Sequence, residues 1–477
     1  MSNISGISGL NYSPNMLYSD CRKDARCLMS KSDPSAARKA AFDVLRKVAR
    51  AKGNPASFLH HPRLDHLKAQ DRDLATELVY GVLRWQNRLD YTLEAFSNRP
   101  AKRVDLPVLL AVRMGLYQIR FLTRVPWRAA VDESVKLTRA HGPRGAESFV
   151  NAVLRSACRK PDAPALPAKE DDPLGYLTVT LSHPEWLARR YLRLGLDKAE
   201  ARCLYHNRPP PTDVRVEPPW DTERVRRALE NDGIESSPFH LVPGCLRVFS
   251  GKPAQTSLHR SGEIFIQEAG SQLIPFMLGP KAGDDVLDAC AAPGAKATEL
   301  SRWCVPGSVI AVERRLARLT LMSELAKHLG CSNVRPVGGD AARLPFRATF
   351  KHIILDAPCS SLGTLARNPD IKWRIQESDL ADLSKIQYQL LESCCQLLDR
   401  EGRLVYATCS TEHEENEDVI AEFLEQHPEF RIASPPSSFP AKARKLLDDE
   451  GALRIYPERD HMDGYYAVAL ERKDTGD

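Results

Sequence analysis

The sequence predicts a multidomain α+β protein: an N-terminal all-α bundle, a small α/β connecting domain and a C-terminal doubly wound α/β domain. Three observations lead there. The chain has 477 residues, well beyond one domain of roughly 100 to 200 residues. Its apolar residues recur at the helical period from Ala36 to Ala157, and from Asp285 onward short apolar runs alternate with amphipathic stretches. Between the two lies Lys160 to Pro173, KPDAPALPAKEDDP, whose four prolines among charges read as a linker.

Taken in order, residues 1 to 34 lack periodicity and are expected to be disordered, with Met29, just before the first helix, a candidate translation start. Ala41, Val44, Leu45 and Val48 then fall at i, i+3, i+4 and i+7, one face of a helix. Asp71 to Trp85, Leu89 to Phe96, Leu106 to Phe121, Trp127 to Thr138 and Gly145 to Ala157 repeat the pattern, so a helical domain is expected over 35–160. After the linker, 161–175, a connecting domain over 176–262 shows a helix near Pro184 to Leu194 and short strands at Asp213 to Val216 and Leu246 to Phe249. Its fold does not follow from pattern alone. Over 263–477 the predicted strands are Val286 to Asp288, Val309 to Glu313, Val334 to Gly338, Ile353 to Leu355 and Leu404 to Ala407, with a helix at Leu380 to Leu398. Continuous apolar strands alternating with helices predict a parallel sheet covered on both faces, with its ligand beyond the carboxyl ends of the strands.

Composition limits the function classes. Hydrophobic content of 43%, charged content of 27% and mean hydropathy of −0.37 describe a globular chain without the roughly 20 consecutive apolar residues of a membrane span. The first residues have neither a basic n-region nor an apolar h-region, so a cytoplasmic location and no membrane partner are expected. Twelve cysteines are scattered without a CxxC pair or a histidine pair at zinc spacing; free thiols and no bound metal are expected. Residues 35–160 carry 24 Lys and Arg against 11 Asp and Glu, a balance of +13, whereas 161–477 carry 39 against 48. Such a module suits a nucleic-acid backbone, or is a solvated Arg-rich helical surface.

The strand ends hold the candidate chemistry. The first runs through Asp288 into Cys290-Ala291-Ala292-Pro293-Gly294-Ala295-Lys296, a small-residue turn opening a helix, where backbone can approach a ligand and the helix N-terminus favours an anion. Glu313 follows about 20 residues after the glycine turn, where an acid can bind ribose hydroxyls. Asp340 ends the third strand, where a carboxylate can accept from an adenine amino group or cap a helix. Asp356-Ala357-Pro358-Cys359 and, 50 residues later, Thr408-Cys409-Ser410 end neighbouring strands, so two sulfurs are expected to face one pocket. Cys394 and Cys395, inside a helix, are expected to be core thiols.

VLDACAAPGAK, DAPCSSLGT, ARNPDIKW, VYATCSTEHEEN and DGYYAVAL, in that order, resemble the signature segments of the Nop/Sun family of RNA cytosine carbon-5 methyltransferases. The likeness spans about residue 180 to the end, and the basic helical domain resembles the NusB-like RNA-binding module of family members acting on 16S rRNA. The resemblance implies a Rossmann-like class I methyltransferase domain binding S-adenosylmethionine through Cys290 to Lys296, Glu313, Asp340 and Asp356. It implies methylation of carbon 5 of a cytosine in 16S rRNA, by resemblance cytosine 967, through a covalent cysteine adduct. In that family the Thr-Cys cysteine, here Cys409, attacks, and the Pro-Cys cysteine, here Cys359, serves product release. DNA cytosine methyltransferases instead attack with the Pro-Cys. Asp356 is expected to bind the target cytosine, Lys296 either to join it or to face solvent, and Arg367 to Asp370 to form a nearby loop. Glu415 and Asn416 match the family pattern and are read as starting a helix; Asp463 to Tyr466 form a closing aromatic strand that packs.

Two residues depart from the pattern: the family's PGGK is Pro293-Gly294-Ala295-Lys296 here, and its aspartate after the second strand is Glu313. Alanine is costly if position 295 needs a positive φ and harmless in a first helical turn. A monomer is expected. The competing readings are a tRNA cytosine carbon-5 methyltransferase, and a non-catalytic NusB-like RNA-binding or antitermination factor.

Overall fold

The computed structural model describes residues 33–473, residues 52 and 345 excepted; the expectations for residues 1 to 32, including Met29, lie outside them. The chain divides into two compact units, Met1–Val82 with Arg88–Leu166, and Leu83–Asn87 with Pro167–Asp477. The division at Leu166 falls inside the proline-rich stretch. No helix among the described residues is long and apolar enough to cross a membrane.

The first unit is helical. Its long helices are Ala36–Ala51, Ala69–Arg84, Gln86–Ser97, Leu106–Phe121, Trp127–His141 and Ala146–Arg159. Leu106–Phe121 is the central one, because Val108 to Val112 and Met114 to Gln118 are all buried, and a helix apolar all round must be covered on every side. Phe42, Leu45, Leu78, Val79, Leu93, Val135 and Leu154 complete the core. The Arg113 guanidinium holds Asp90 through two bonds of 2.7 and 2.6 Å, joining the third of these helices to the fourth.

The second unit contains two sheets. The smaller has strands β1 (Thr212–Val216), β2 (Ser236–Pro238), β3 (Cys245–Val248) and β4 (Ile264–Ile266) in the antiparallel order β2-β3-β1-β4. This is the fold that pattern alone left open, and β4 carries it past residue 262. The triple proline Pro209 to Pro211 leads into β1, where Val214 and Val216 pack with Leu246, Val248 and Ile264.

The larger sheet holds β5 (Val286–Asp288), β6 (Val309–Glu313), β7 (Val334–Gly338), β8 (Phe350–Asp356), β9 (Leu398–Thr408), β10 (Phe430–Ala433), β11 (Leu453–Ile455) and β12 (Tyr465–Arg472). Its order is β10-β12-β9-β8-β5-β6-β7, with β11 also on β12. The five strands β5 to β9 are parallel, while β10, β11 and β12 run antiparallel, so the expected all-parallel sheet is mixed. The helix expected at Leu380 to Leu398 is Glu377–Cys395, and Leu398 already opens β9. Leu404 to Thr408 are buried without interruption, as are all of β5, because helices cover both faces. One face packs Leu273, Ile274, Leu300 and Met322 against the sheet and the other Leu390, Leu391, Val419 and Phe423. Successive strands run outward from β5 through β6 to β7 and then resume at β8 on its other side. The order reverses between β5 and β8, and the carboxyl ends there open a crevice.

Candidate functional site

Every predicted site residue lies at the carboxyl end of a parallel strand. After β5 the chain turns through Cys290 to Gly294, Ala291 N–H donating to Val312 O at 3.0 Å and Gly294 N–H to Ala291 O at 2.7 Å. Gly294 has φ of 105°, and a Cβ there would sit 2.8 Å from Met322 Cγ, so this glycine is required twice over. Ala295 is the first residue of the helix Ala295–Cys304, which settles the departure from PGGK: the alanine stands in a helical turn. Burial pushes the Cys290 thiol up, toward the neutral form.

Lys296 does not face solvent. It is buried, and its Nζ donates to Asp356 Oδ2 at 2.7 Å, bringing β8 to the first turn of the helix after β5. Burial disfavours the ammonium, but the Asp356 charge and hydrogen bond outweigh it, so the Lys296 pKa is raised. Asp288 is wholly buried, and neither carboxylate oxygen has a hydrogen-bond partner among the described residues. Burial, reinforced by the Asp356 charge, pushes it up to about 7. A buried acid with two orphaned oxygens, beside a small-residue turn and a helix N-terminus, fits a ligand that carries both a cation and a carboxylate. S-adenosylmethionine is such a ligand. Glu313, nearly buried at the end of β6, accepts from Arg315 N–H at 2.7 Å and has Arg318 3.5 Å away. Asp340 after β7 is exposed and caps the turn Ala341–Arg343 by accepting from Ala342 N–H at 3.0 Å.

The two cysteines meet. Cys359 Sγ lies 3.2 Å from Cys409 Sγ, both free thiols, and Ser361 Oγ is 3.3 Å from Cys409. The Cys409 hydrogen bond and then burial push the Cys359 thiol well above its ordinary range, toward the neutral form. Behind the sulfurs, Gly363 N–H donates to Cys409 O at 3.0 Å and Gly464 N–H to Gly363 O at 2.7 Å. A Cβ on Gly363 would be 2.2 Å from Gly464 O, so only glycine lets these backbones touch.

Residues that pattern did not mark as functional hold this arrangement. Glu415 does not start the next helix, which begins at Glu417; its side chain turns inward and binds Ser360 and Ser410. Arg190 donates to Glu412 at 2.7 Å and to both oxygens of Glu414, fastening the loop after Cys409. Arg367 pairs with Asp463 at 2.8 Å and Tyr465 is buried against Gly270, so Asp463 to Tyr465 also anchor the Arg367 loop. Three acids, Glu412, Glu414 and Glu415, within five residues after Thr-Cys-Ser were the available signal, but clustered acids more often mean a helix start. Cys394 and Cys395 are buried, as expected of core thiols, and no group of three or more candidate metal ligands occurs among the described residues.

Residues 275–471 match the family model of 16S rRNA methyltransferase RsmB/F, and residues 35–159 match that of the NusB family. A probable ribosomal RNA small subunit methyltransferase B of Bacillus subtilis is 35% identical over 416 residues, 86% of this chain and 92% of the relative. The chain belongs to the RsmB/F family of 16S rRNA methyltransferases. The ribosomal RNA small subunit methyltransferase B of Vibrio cholerae is 31% identical, over 85% of this chain and 91% of its own. Among solved structures, that of PH0851 superposes with a TM-score of 0.77 at 25% identity, over 92% of this chain and 99% of that one. An S-adenosylmethionine-dependent RNA methyltransferase is thus the activity class of this RsmB/F family member.

Proposed function

We propose that this RsmB/F family member transfers a methyl group from S-adenosylmethionine to carbon 5 of a cytosine in 16S rRNA, cytosine 967, through a covalent bond to Cys409. The observation that carries the reading is the pair of thiols 3.2 Å apart beside the Lys296–Asp356 pair. Carbon 5 of cytosine is too weak a nucleophile to be methylated directly, so a nucleophile must first add to carbon 6. A thiolate does this near neutral pH. S-adenosylmethionine, when bound, supplies the electrophilic methyl group. Cys290 to Lys296, Glu313, Asp340 and Asp356 would hold it, with the orphaned Asp288 carboxylate as counter-charge to its cationic end.

Cys409 adds to carbon 6 while Asp356, oriented by Lys296, binds the ring-nitrogen edge of the base. Water then takes the proton from carbon 5, the electrons of that bond re-form the carbon 5–carbon 6 double bond, and the carbon–sulfur bond breaks with its electron pair leaving on Cys409. The protonated Cys359 is within hydrogen-bond reach of that departing thiolate, which favours release. The base must be unpaired or flipped from its stack to enter the crevice. The basic helical unit, with its balance of +13, supplies phosphate contacts.

The test is incubation with labelled S-adenosylmethionine and 16S rRNA lacking the modification, followed by nucleoside mass spectrometry and position mapping. 5-Methylcytosine at one cytosine is expected. No incorporation, or incorporation into tRNA alone, overturns the proposal.

A further inference from the structure

Glu415 has no role in the chemistry above, yet it holds the most heavily bonded carboxylate near the two thiols. It is wholly buried in the turn His413–Glu415. Its Oε1 accepts from Ser360 N–H at 2.7 Å and from Gln387 Nε2 at 3.0 Å. Its Oε2 accepts from Ser360 Oγ and Ser410 Oγ, both at 2.5 Å. Ser360 directly follows Cys359, and Ser410 directly follows Cys409. One side chain therefore ties together the two strand-end loops that carry the sulfurs.

The surrounding bonds point the same way. The two serine hydroxyls are 3.2 Å apart. Gln387 also donates to Pro358 O at 3.0 Å, fixing the residue before Cys359. Asn416 accepts from Thr408 Oγ1 at 2.5 Å and donates to Ser410 O at 3.1 Å, fixing the residues on both sides of Cys409. Tyr406 donates to Glu415 O at 2.5 Å, which seats the turn on β9. None of the four donors to the carboxylate is a cation. Burial accordingly raises its pKa, and the bonds from the serines and Gln387 oppose that rise. Burying a carboxylate without a cation is costly, and an apolar residue would fill a core at lower cost. What an apolar residue cannot do is accept three donors from two different loops and a fourth from the helix Glu377–Cys395 at once.

We infer that Glu415 is a positioning residue, a clasp that sets the register of the Cys359 and Cys409 sulfurs against each other. The inference rests on the proposed two-thiol chemistry for its functional meaning, but the register itself can be measured without it. Diamide, which takes up two electrons and two protons as two neighbouring thiols become a disulfide, reads their separation directly.

In the full-length wild type, the Cys359–Cys409 disulfide should form rapidly with diamide, scored by peptide mapping. Glu415→Ala should slow that cross-link at least tenfold and lower kcat for RNA methylation at least tenfold, while S-adenosylmethionine affinity stays within about twofold. Glu415→Gln, whose amide still reaches both serines, should recover part of both rates. A residue that only stabilised the fold would lower cofactor affinity and melting temperature without this split. Unchanged cross-linking in Glu415→Ala overturns the inference. Should that variant fail to fold, Ser410→Ala deletes one bond of the clasp and must slow cross-linking in the same direction, or the inference falls. If the wild type methylates no RNA, the proposed function fails, but the cross-linking arm still decides the role of Glu415.

Discussion

Replacing Asp288 by asparagine should make the cofactor-free protein more stable at alkaline than at acidic pH, relative to wild type. Asp288 is fully buried with no partner for either oxygen among the described residues, and its pKa stands at about 7 against an ordinary value of 3.8. A carboxyl whose folded pKa is raised contributes stability that is present below pH 3.8 and lost as pH rises through 7. At pH 8 the wild type therefore carries a penalty of up to about 4 kcal/mol, and at pH 5 under about 2 kcal/mol. The asparagine side chain does not ionise, so the stability difference between variant and wild type should grow by about 2 to 3 kcal/mol from pH 5 to pH 8. Any loss from the new buried amide is the same at both pH values and cancels. Urea denaturation followed by intrinsic fluorescence at the two pH values measures this. Saturating S-adenosylmethionine should stabilise wild type more than Asp288→Asn at pH 8, because only the carboxylate recovers the cost of its burial when a cation arrives. A difference that stays flat or shrinks between pH 5 and pH 8 refutes the reasoning.

Two further outcomes follow from the site. Cys409→Ala should abolish methyl incorporation and form no protein–RNA adduct, whereas Cys359→Ala should accumulate a covalent RNA complex visible by denaturing gel electrophoresis; the reverse pattern would show that the attacking sulfur is misassigned. Ala295→Gly should lower stability by about 0.5 to 1 kcal/mol without improving cofactor affinity, since position 295 is helical, while Gly294→Ala should cost at least about 1 to 2 kcal/mol for its positive φ. Calorimetry on both variants checks the pair.

Much of this site was legible because its chemistry is carried by short segments at strand ends. Cys359 and Cys409 each follow an apolar run, and a parallel sheet brings such ends to one rim whatever the details of packing. The same logic placed Cys290 to Lys296, Glu313 and Asp340. The antiparallel strands β10 and β11 and the small sheet were harder, because strands such as Ser236–Pro238 and Leu453–Ile455 are three residues long and too short to show a period. Position 295 stayed open for a different reason: whether alanine is tolerated depends on one backbone angle, and the residue before it takes the positive φ.

By itself the sequence determined that a basic helical domain precedes an α/β domain, and that two thiols, a small-residue turn and three acids end its strands. Those are local properties, written in period, composition and the residue after each run. Only the tertiary structure decided that Lys296 pairs with Asp356 across 60 residues, that the Asp288 carboxylate is fully buried with neither oxygen satisfied by a hydrogen bond among the described residues, and that Glu415 reaches Ser360 55 residues away. A buried charge takes its meaning from what surrounds it, and its surroundings come from distant segments that meet only when the sheet has closed.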